Sequence, residues 1–255
     1  MNSNLKNILE EIDALKKRLD SYRPLNEAQL KKIEEAFFIE YTYESNRIEG
    51  STLTLQETAL VIQKGITISN KSMREHLEAI NHYEAIGFIH EVVASKEFLN
   101  EKTIKDIHAL VLRGIDKENA GRYRTLNVKI AGSRHLPPDS LKVQELMDDY
   151  FSFYDKNKSA LHPVLLAAHL HEKLVTIHPF IDGNGRTSRL VMNLILLQNG
   201  YSIANIAGSN ENRLRYYNSL DKCQTENLCD DFHLFVAETE KQSLQQYLKV
   251  IENGK

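Results

Sequence analysis

The segment His178-Pro179-Phe180-Ile181-Asp182-Gly183-Asn184-Gly185-Arg186-Thr187-Ser188-Arg189 gathers a base, a carboxylate, two glycines and two arginines. Its spacing reads as a turn that starts a helix. Pro179 ends the helix before it, and a new helix begins near Asn184 or Gly185. Gly183 and Gly185 permit positive φ, so successive amides can converge on one concavity. The helix start adds its dipole and unpaired N–H groups, which together make an anion site. Arg186 and Arg189 are three apart and reach the same side of the first turns. Two guanidinium forks beside an amide nest suit a polyphosphate better than one carboxylate. Asp182 is a hard oxygen ligand for a Mg²⁺ bridging phosphates, and His178 is a titratable base just before the nest. Leu190, Leu194 and Leu197 anchor the helix in the core. Each element alone is ordinary: a Gly-x-Gly turn, a structural histidine beside proline, solvated arginines. The combination carries the reading. No GxxxxGK[ST] occurs, so the segment is not a P-loop.

The combination resembles the signature of the Fic family, His-Pro-Phe-x-[Asp/Glu]-Gly-Asn-Gly-Arg-x-x-Arg, and matches it at every position. The resemblance covers about residues 45 to 235. It implies transfer of AMP from ATP to a Ser, Thr or Tyr hydroxyl of a target protein. His178 would take the hydroxyl proton and Asp182 would hold Mg²⁺. The nucleotide would meet Asp182, Gly183, Asn184, Gly185, Arg186, Thr187, Ser188 and Arg189, with the two arginines on the β- and γ-phosphates. Downstream, Arg213, Tyr216 and Tyr217 lie where the family has part of its adenosine pocket; Tyr216 and Tyr217 are the expected contacts. Gly121-Arg122-Tyr123-Arg124 and His135-Leu136-Pro137-Pro138 flank a flap that would dock the target through Thr125, Val128, Ile130, Gly132 and His135.

Ser45-Asn46-Arg47-Ile48-Glu49-Gly50 resembles the family's inhibitory motif, [Ser/Thr]-x-x-x-Glu-[Gly/Asn], in an N-terminal position. Ser45 and Glu49 are therefore expected to hold the enzyme in check, with Glu49 occupying Arg189. The bland alternative is a helix end with Gly50 just past it. Two other functions compete. A de-AMPylase would use Glu49 to position an attacking water. A non-enzymatic regulator would bind nucleotide or a partner, but would need neither His178 nor Asp182. His169, His171 and His178 could suggest a metal hydrolase, yet residues two apart diverge on a helix and no HExxH occurs.

The elements that position these groups read as helices. Leu5, Ile8, Leu9, Ile12, Leu15 and Leu19 mark one apolar face, and Arg23-Pro24 breaks it. A second helix is expected from about residue 27 to the low forties. Thr54 and Glu57 are spaced as a capping box, with Gly65 at that helix's end. Periodic stretches follow over 71–94 and, behind Asn100, to about Gly114. Residues 125–130 alternate in the β manner before a turn at Gly132, predicting a small β-hairpin flap. Helices resume at about 140–154, 163–176, 184–198, 210–222 and 231–251. The fold expected is mainly α: a helical region over 1–95 carrying the inhibitory motif, then a catalytic core with a C-terminal helix over 96–255.

Composition sets the outer bounds. The 255 residues carry a formal net charge of −3, with 42% hydrophobic and 26% charged residues. There is no basic excess for sequence-independent nucleic-acid binding, and too little chain follows Phe235 for a DNA-reading module. No signal peptide and no apolar run long enough for a membrane span are visible. Cys223 and Cys229 fit neither a CxxC pair nor a zinc knuckle, and reduced thiols in a cytoplasmic protein are expected. The partners implied are ATP and a protein bearing an exposed hydroxyl, with a homo-oligomer possible and neither nucleic acid nor membrane.

Overall fold

The computed structural model describes residues 3–24 and 27–253. Ten α-helices follow in order: α1 Ser3–Asp20, α2 Glu27–Ile48, α3 Leu55–Lys64, α4 Met73–Ser95, α5 Glu101–Val111, α6 Val143–Asn157, α7 Pro163–Ile177, α8 Asn184–Gln198, α9 Asn210–Glu226 and α10 Asp230–Asn253. A 3-10 turn, Ser140–Lys142, leads into α6. Local chemistry explains many of the starts. Thr54 and Ser72 both close capping boxes, with Glu57 and Glu75 reaching back, and Asn100 caps α5. Gly65 ends α3 in the left-handed conformation.

Helices α7 and α8 pack most extensively on each other and form the centre. Every residue of α8 from Arg186 to Leu196 is buried, so this stretch has no solvated face. Helices α4 and α5 cover one side of α8, and α10 and α6 pack on α7. The α1 stripe of Leu5, Ile8, Leu9, Ile12 and Leu19 docks on α10. One buried cluster therefore joins residues from both halves of the chain, from Leu5 to Ile251.

Three sequence expectations are corrected. Helix α2 runs to Ile48, past the low forties, because Tyr41, Thr42, Ser45 and Ile48 are buried there and packing overrides the polar composition. The flap has no strand among the described residues. Side chains take up its backbone groups in place of a ladder. Asn127 Oδ1 accepts from Ser140 N (2.7 Å), Ser140 Oγ donates to the Thr125 carbonyl (3.1 Å), and Arg124 donates to the carbonyls of Leu126 (3.0 Å) and Pro138 (2.5 Å). An alternating pattern needs a partner strand, and this one has none. Finally, Cys223 and Cys229 form a disulfide. Asn227, left-handed at φ 57°, turns the chain between α9 and α10 and brings the two Cα atoms to 4.3 Å. The thiol argument for a reducing compartment falls with it. Among the described residues no helix is long and apolar enough to cross a membrane.

Candidate functional site

The site lies at the turn between α7 and α8, and its shape comes from hydrogen bonds made by its own side chains. His178 ends α7 in the left-handed conformation (φ 51°, ψ 58°), which turns the chain sharply before Pro179. Asn184 then staples the turn: its Oδ1 accepts from Phe180 N (3.0 Å) and its Nδ2 donates to Phe180 O (2.9 Å). Phe180 is fully buried and stacks on His108 with ring centroids 3.6 Å apart. His108 Nδ1 accepts from Gly121 N (2.9 Å), so its Nε2–H donates to the Asp182 carbonyl (2.9 Å). Arg124 completes the frame by donating from Nε to the His178 carbonyl and from its backbone N to the Pro179 carbonyl, both at 2.8 Å. His108 and Arg124 were not among the sequence-derived site residues. Only the motif proximity of Arg124 hinted at a role, and His108 gave no signal.

The two glycines do different jobs. Gly183 caps α8 at φ 74°, a conformation that needs glycine. Gly185 does not have positive φ, contrary to expectation. Its requirement is space: a Cβ there would stand 2.5 Å from Glu49 Oε1 and 3.2 Å from Arg189 Nη1. The first helical bond of α8 is Thr187 N to Gly183 O (3.0 Å), so the amides of Asn184, Gly185 and Arg186 precede the ladder. The Thr187 amide is consumed in that bond. Both Thr187 and Ser188 side chains are buried, and Ser188 Oγ donates to the Asn184 carbonyl (2.8 Å). Thr187 and Ser188 thus face the interior.

The charges converge at the same end. Asp182 accepts from Gly183 N (2.6 Å), from Arg74 Nη2 (2.5 Å) and from Arg186 Nη2 (3.4 Å). Partial burial pushes its carboxyl up, but Arg186, the Gly183 amide and Arg74 more than offset this and hold it below the usual carboxylate range. Arg186 also lies 3.2 Å from Glu78 of α4. Arg74 and Glu78 were likewise missed; their i, i+4 spacing is common to many solvated helices. His178 is pushed down to about 4 by burial, with Arg124 and His135 acting in the same direction, so its imidazole is neutral at pH 7.

Arg189 is 1% exposed and is held by the end of α2. Its Nε donates to Ser45 Oγ (3.0 Å), and its Nη2 donates to the Ser45 carbonyl (2.9 Å) and to Glu49 Oε1 (2.7 Å). The pair is mutually reinforcing: burial opposes both charges, yet Arg189 holds Glu49 below the usual range and Glu49 holds Arg189 above its own. Gly50, at φ 100°, ends the helix just beyond, so the helix-end reading and the pairing both apply. Tyr217 Oη donates to the Ile48 carbonyl (3.2 Å), tying α9 to the same helix end. Tyr216 is 1% exposed, pairs with His171 Nε2 (3.0 Å) and packs among Phe232 and Phe235. It is a core residue, whereas Tyr217 stays open to solvent. Of the flap set, His135 donates from Nε2 to the Thr176 carbonyl (2.9 Å), near His178; Thr125, Val128, Ile130 and Gly132 lie along the outer loop.

Comparison with known proteins identifies the relatives of this chain. Residues 98–196 match the model of the Fic/DOC family. A protein adenylyltransferase Fic from Aedes aegypti is 35% identical over 94% of this chain and 47% of its own length. The chain thus spans about half the length of the curated relatives it matches. Among solved structures, a variant of Fic-1 from C. elegans is 30% identical, with 96% of this chain and 72% of that one covered and a TM-score of 0.83. A Fic domain containing signaling protein from Bacteroides thetaiotaomicron is 28% identical, with 98% and 97% covered and a TM-score of 0.84.

Proposed function

Since this chain belongs to the Fic family, we propose that it is a protein adenylyltransferase that moves AMP from ATP to a hydroxyl of a target protein and is restrained by Glu49. The observation that carries the reading is the Arg189–Glu49 pair seated over Gly185 at the amide end of α8.

The chemistry divides among the residues of the turn. Neutral His178 accepts the proton of the target hydroxyl as its oxygen attacks the α-phosphorus. The bond to the β-phosphate oxygen breaks and pyrophosphate leaves. The amides of Asn184, Gly185 and Arg186, with the Arg186 and Arg189 guanidiniums, take up the phosphate charge. The residues also fit a Mg²⁺ site: the Asp182 carboxylate is ionised and its side chain is 43% exposed. The ion would neutralise phosphate charge, and Asp182 would have to exchange the Arg74 contact to hold it. Tyr217 is the better candidate of the two tyrosines for the adenosine side. The outer loop at Thr125, Val128, Ile130 and Gly132 would receive the target segment.

Glu49 restrains transfer in two ways. It occupies the guanidinium that would hold the γ-phosphate, and its charge repels that phosphate. Removing it leaves Arg189 still held through the Ser45 hydroxyl and carbonyl, so the arginine remains in position. Glu49→Gly should therefore raise AMP incorporation from labelled ATP, into the protein itself and into lysate targets. Arg189→Ala should not activate, and the double variant should behave as Arg189→Ala. Equal or lower incorporation by Glu49→Gly would refute the restraint. Release of AMP from modified protein that depends on Glu49 would instead favour the de-AMPylase.

A further inference from the structure

Before the phosphate turn along α7, three side chains from two helices converge. His169 and Glu172 are three apart on α7, and His233 comes from the first turns of α10. One ligand atom from each lies within 4.8 Å of the other two. His169 Nδ1 is 3.5 Å from Glu172 Oε1, close to the edge of about 3.3 Å that a tetrahedron with ligands at ~2.0–2.1 Å requires.

Several buried imidazole nitrogens lack partners among the described residues, but only here do two of them meet beside a carboxylate with ligand atoms within 4.8 Å. His169 Nδ1 and His233 Nε2 are both buried and have no hydrogen-bond partner among the described residues. His233 is 6% exposed and Glu172 8%. Buried polar atoms normally find partners, and two orphaned imidazole nitrogens beside one buried carboxylate need an explanation. The two rings stand edge to face with centroids 4.1 Å apart, and neither His169 Nδ1 nor His233 Nε2 is hydrogen-bonded to the other ring. Of the cations nearby, Lys173 Nζ is 4.0 Å from Glu172 Oε1 and lies over the Phe153 ring at 4.6 Å. It satisfies neither histidine.

We propose that His169, Glu172 and His233 bind a divalent transition-metal ion of the Zn²⁺ class, separate from the phosphate site. Imidazole is a borderline ligand that suits such ions, and Zn²⁺ accepts it together with a carboxylate oxygen. The longer edges need side-chain movement on the order of an ångström. The side chain of His169 is 29% exposed and provides the access route. Glu172 Oε2 faces Cys223 Sγ at 3.7 Å, but that sulfur is in the disulfide with Cys229 and offers no thiolate. The protein set is thus two histidines and one carboxylate, with the fourth position left to solvent. The ion would fasten α10 to α7 about two turns before His178, on the helix that delivers the base.

The probe is Co²⁺ alone, added to the full chain after chelator treatment under non-reducing conditions. Binding should produce the intense visible absorption of tetrahedral Co²⁺ at one equivalent, and Zn²⁺ should abolish it by competition. The band should survive in Asp182→Ala, which separates it from the phosphate site. His169→Gln, at a partly exposed position, and His233→Gln should each weaken binding more than about tenfold. Zn²⁺ should also raise the thermal midpoint of the wild type and not that of His169→Gln. No tetrahedral band, or a band that persists unchanged in folded His169→Gln and His233→Gln, would overturn the proposal.

Discussion

Two asparagines perform the same act in two regions of the molecule, and their surroundings make the outcomes different. Asn184 in the catalytic turn accepts from a backbone N–H and donates to a backbone carbonyl, both of Phe180, and is 2% exposed. Asn127 in the flap accepts from Ser140 N and donates to Asp139 Oδ2 (3.2 Å), and is exposed. In the turn, water cannot replace a lost partner. In the flap it can. Similar hydrogen bonds thus specify a fixed geometry in one place and only bias a loop in the other.

The largest expected effect tests the turn's chemistry. His178→Ala should lower AMP transfer by ~10²–10⁴-fold while ATP binding persists. Near-wild-type transfer would remove His178 from the mechanism. Next, Asn184→Ala should cost about 2–3 kcal/mol of stability, since it orphans two buried backbone groups. Chemical denaturation measures it. Asn127→Ala should cost about 1 kcal/mol or less, and a cost equal to that of Asn184→Ala would collapse the distinction between the regions.

Acid provides a graded test. His178 and His108 are both pushed down to about 4 by burial, below the usual histidine value of 6.5. Their folded pKa values are depressed, so the unfolded chain binds more protons between these limits. Stability from both groups is present above pH 6.5 and is lost as pH falls toward about 4. Unfolding free energy should therefore decline across that window, and His108→Gln should make the decline shallower. An unchanged slope would show that His108 is not held neutral. The smallest effect belongs to the flap: Ile130→Pro should slow target modification a few-fold at unchanged ATP affinity, because a proline cannot donate a backbone N–H.

The same contrast explains what could be read before the structure. The helix over 184–198 was legible to about a residue because Gly183, a polar first turn and a leucine stripe agree with one another. The Glu49–Arg189 pair was legible only through resemblance, since residues 140 apart share no local pattern. The flap misled because alternation predicts a strand only where something pairs with it. Tyr216 could be read from its spacing as either an adenine contact or a core tyrosine, and the rings of Phe232 and Phe235 that enclose it come from a later helix that its local pattern does not encode. His108, Arg124 and Arg74 act through contacts 54 to 108 residues distant in sequence. No local spacing encodes such contacts.

The ring closed between Phe180 and Asn184 has a consequence for affinity. Ordering a loop on ligand arrival costs roughly 1–2 kcal/mol per residue in lost backbone freedom. Here the bend is already closed by a side chain that never needs to touch the ligand. That ordering is met during folding and does not recur at each encounter. An incoming anion would find the three leading amides of α8 already aimed, and its binding free energy would go to electrostatics rather than to immobilising the chain. The turn behaves as a cast part rather than a moving one.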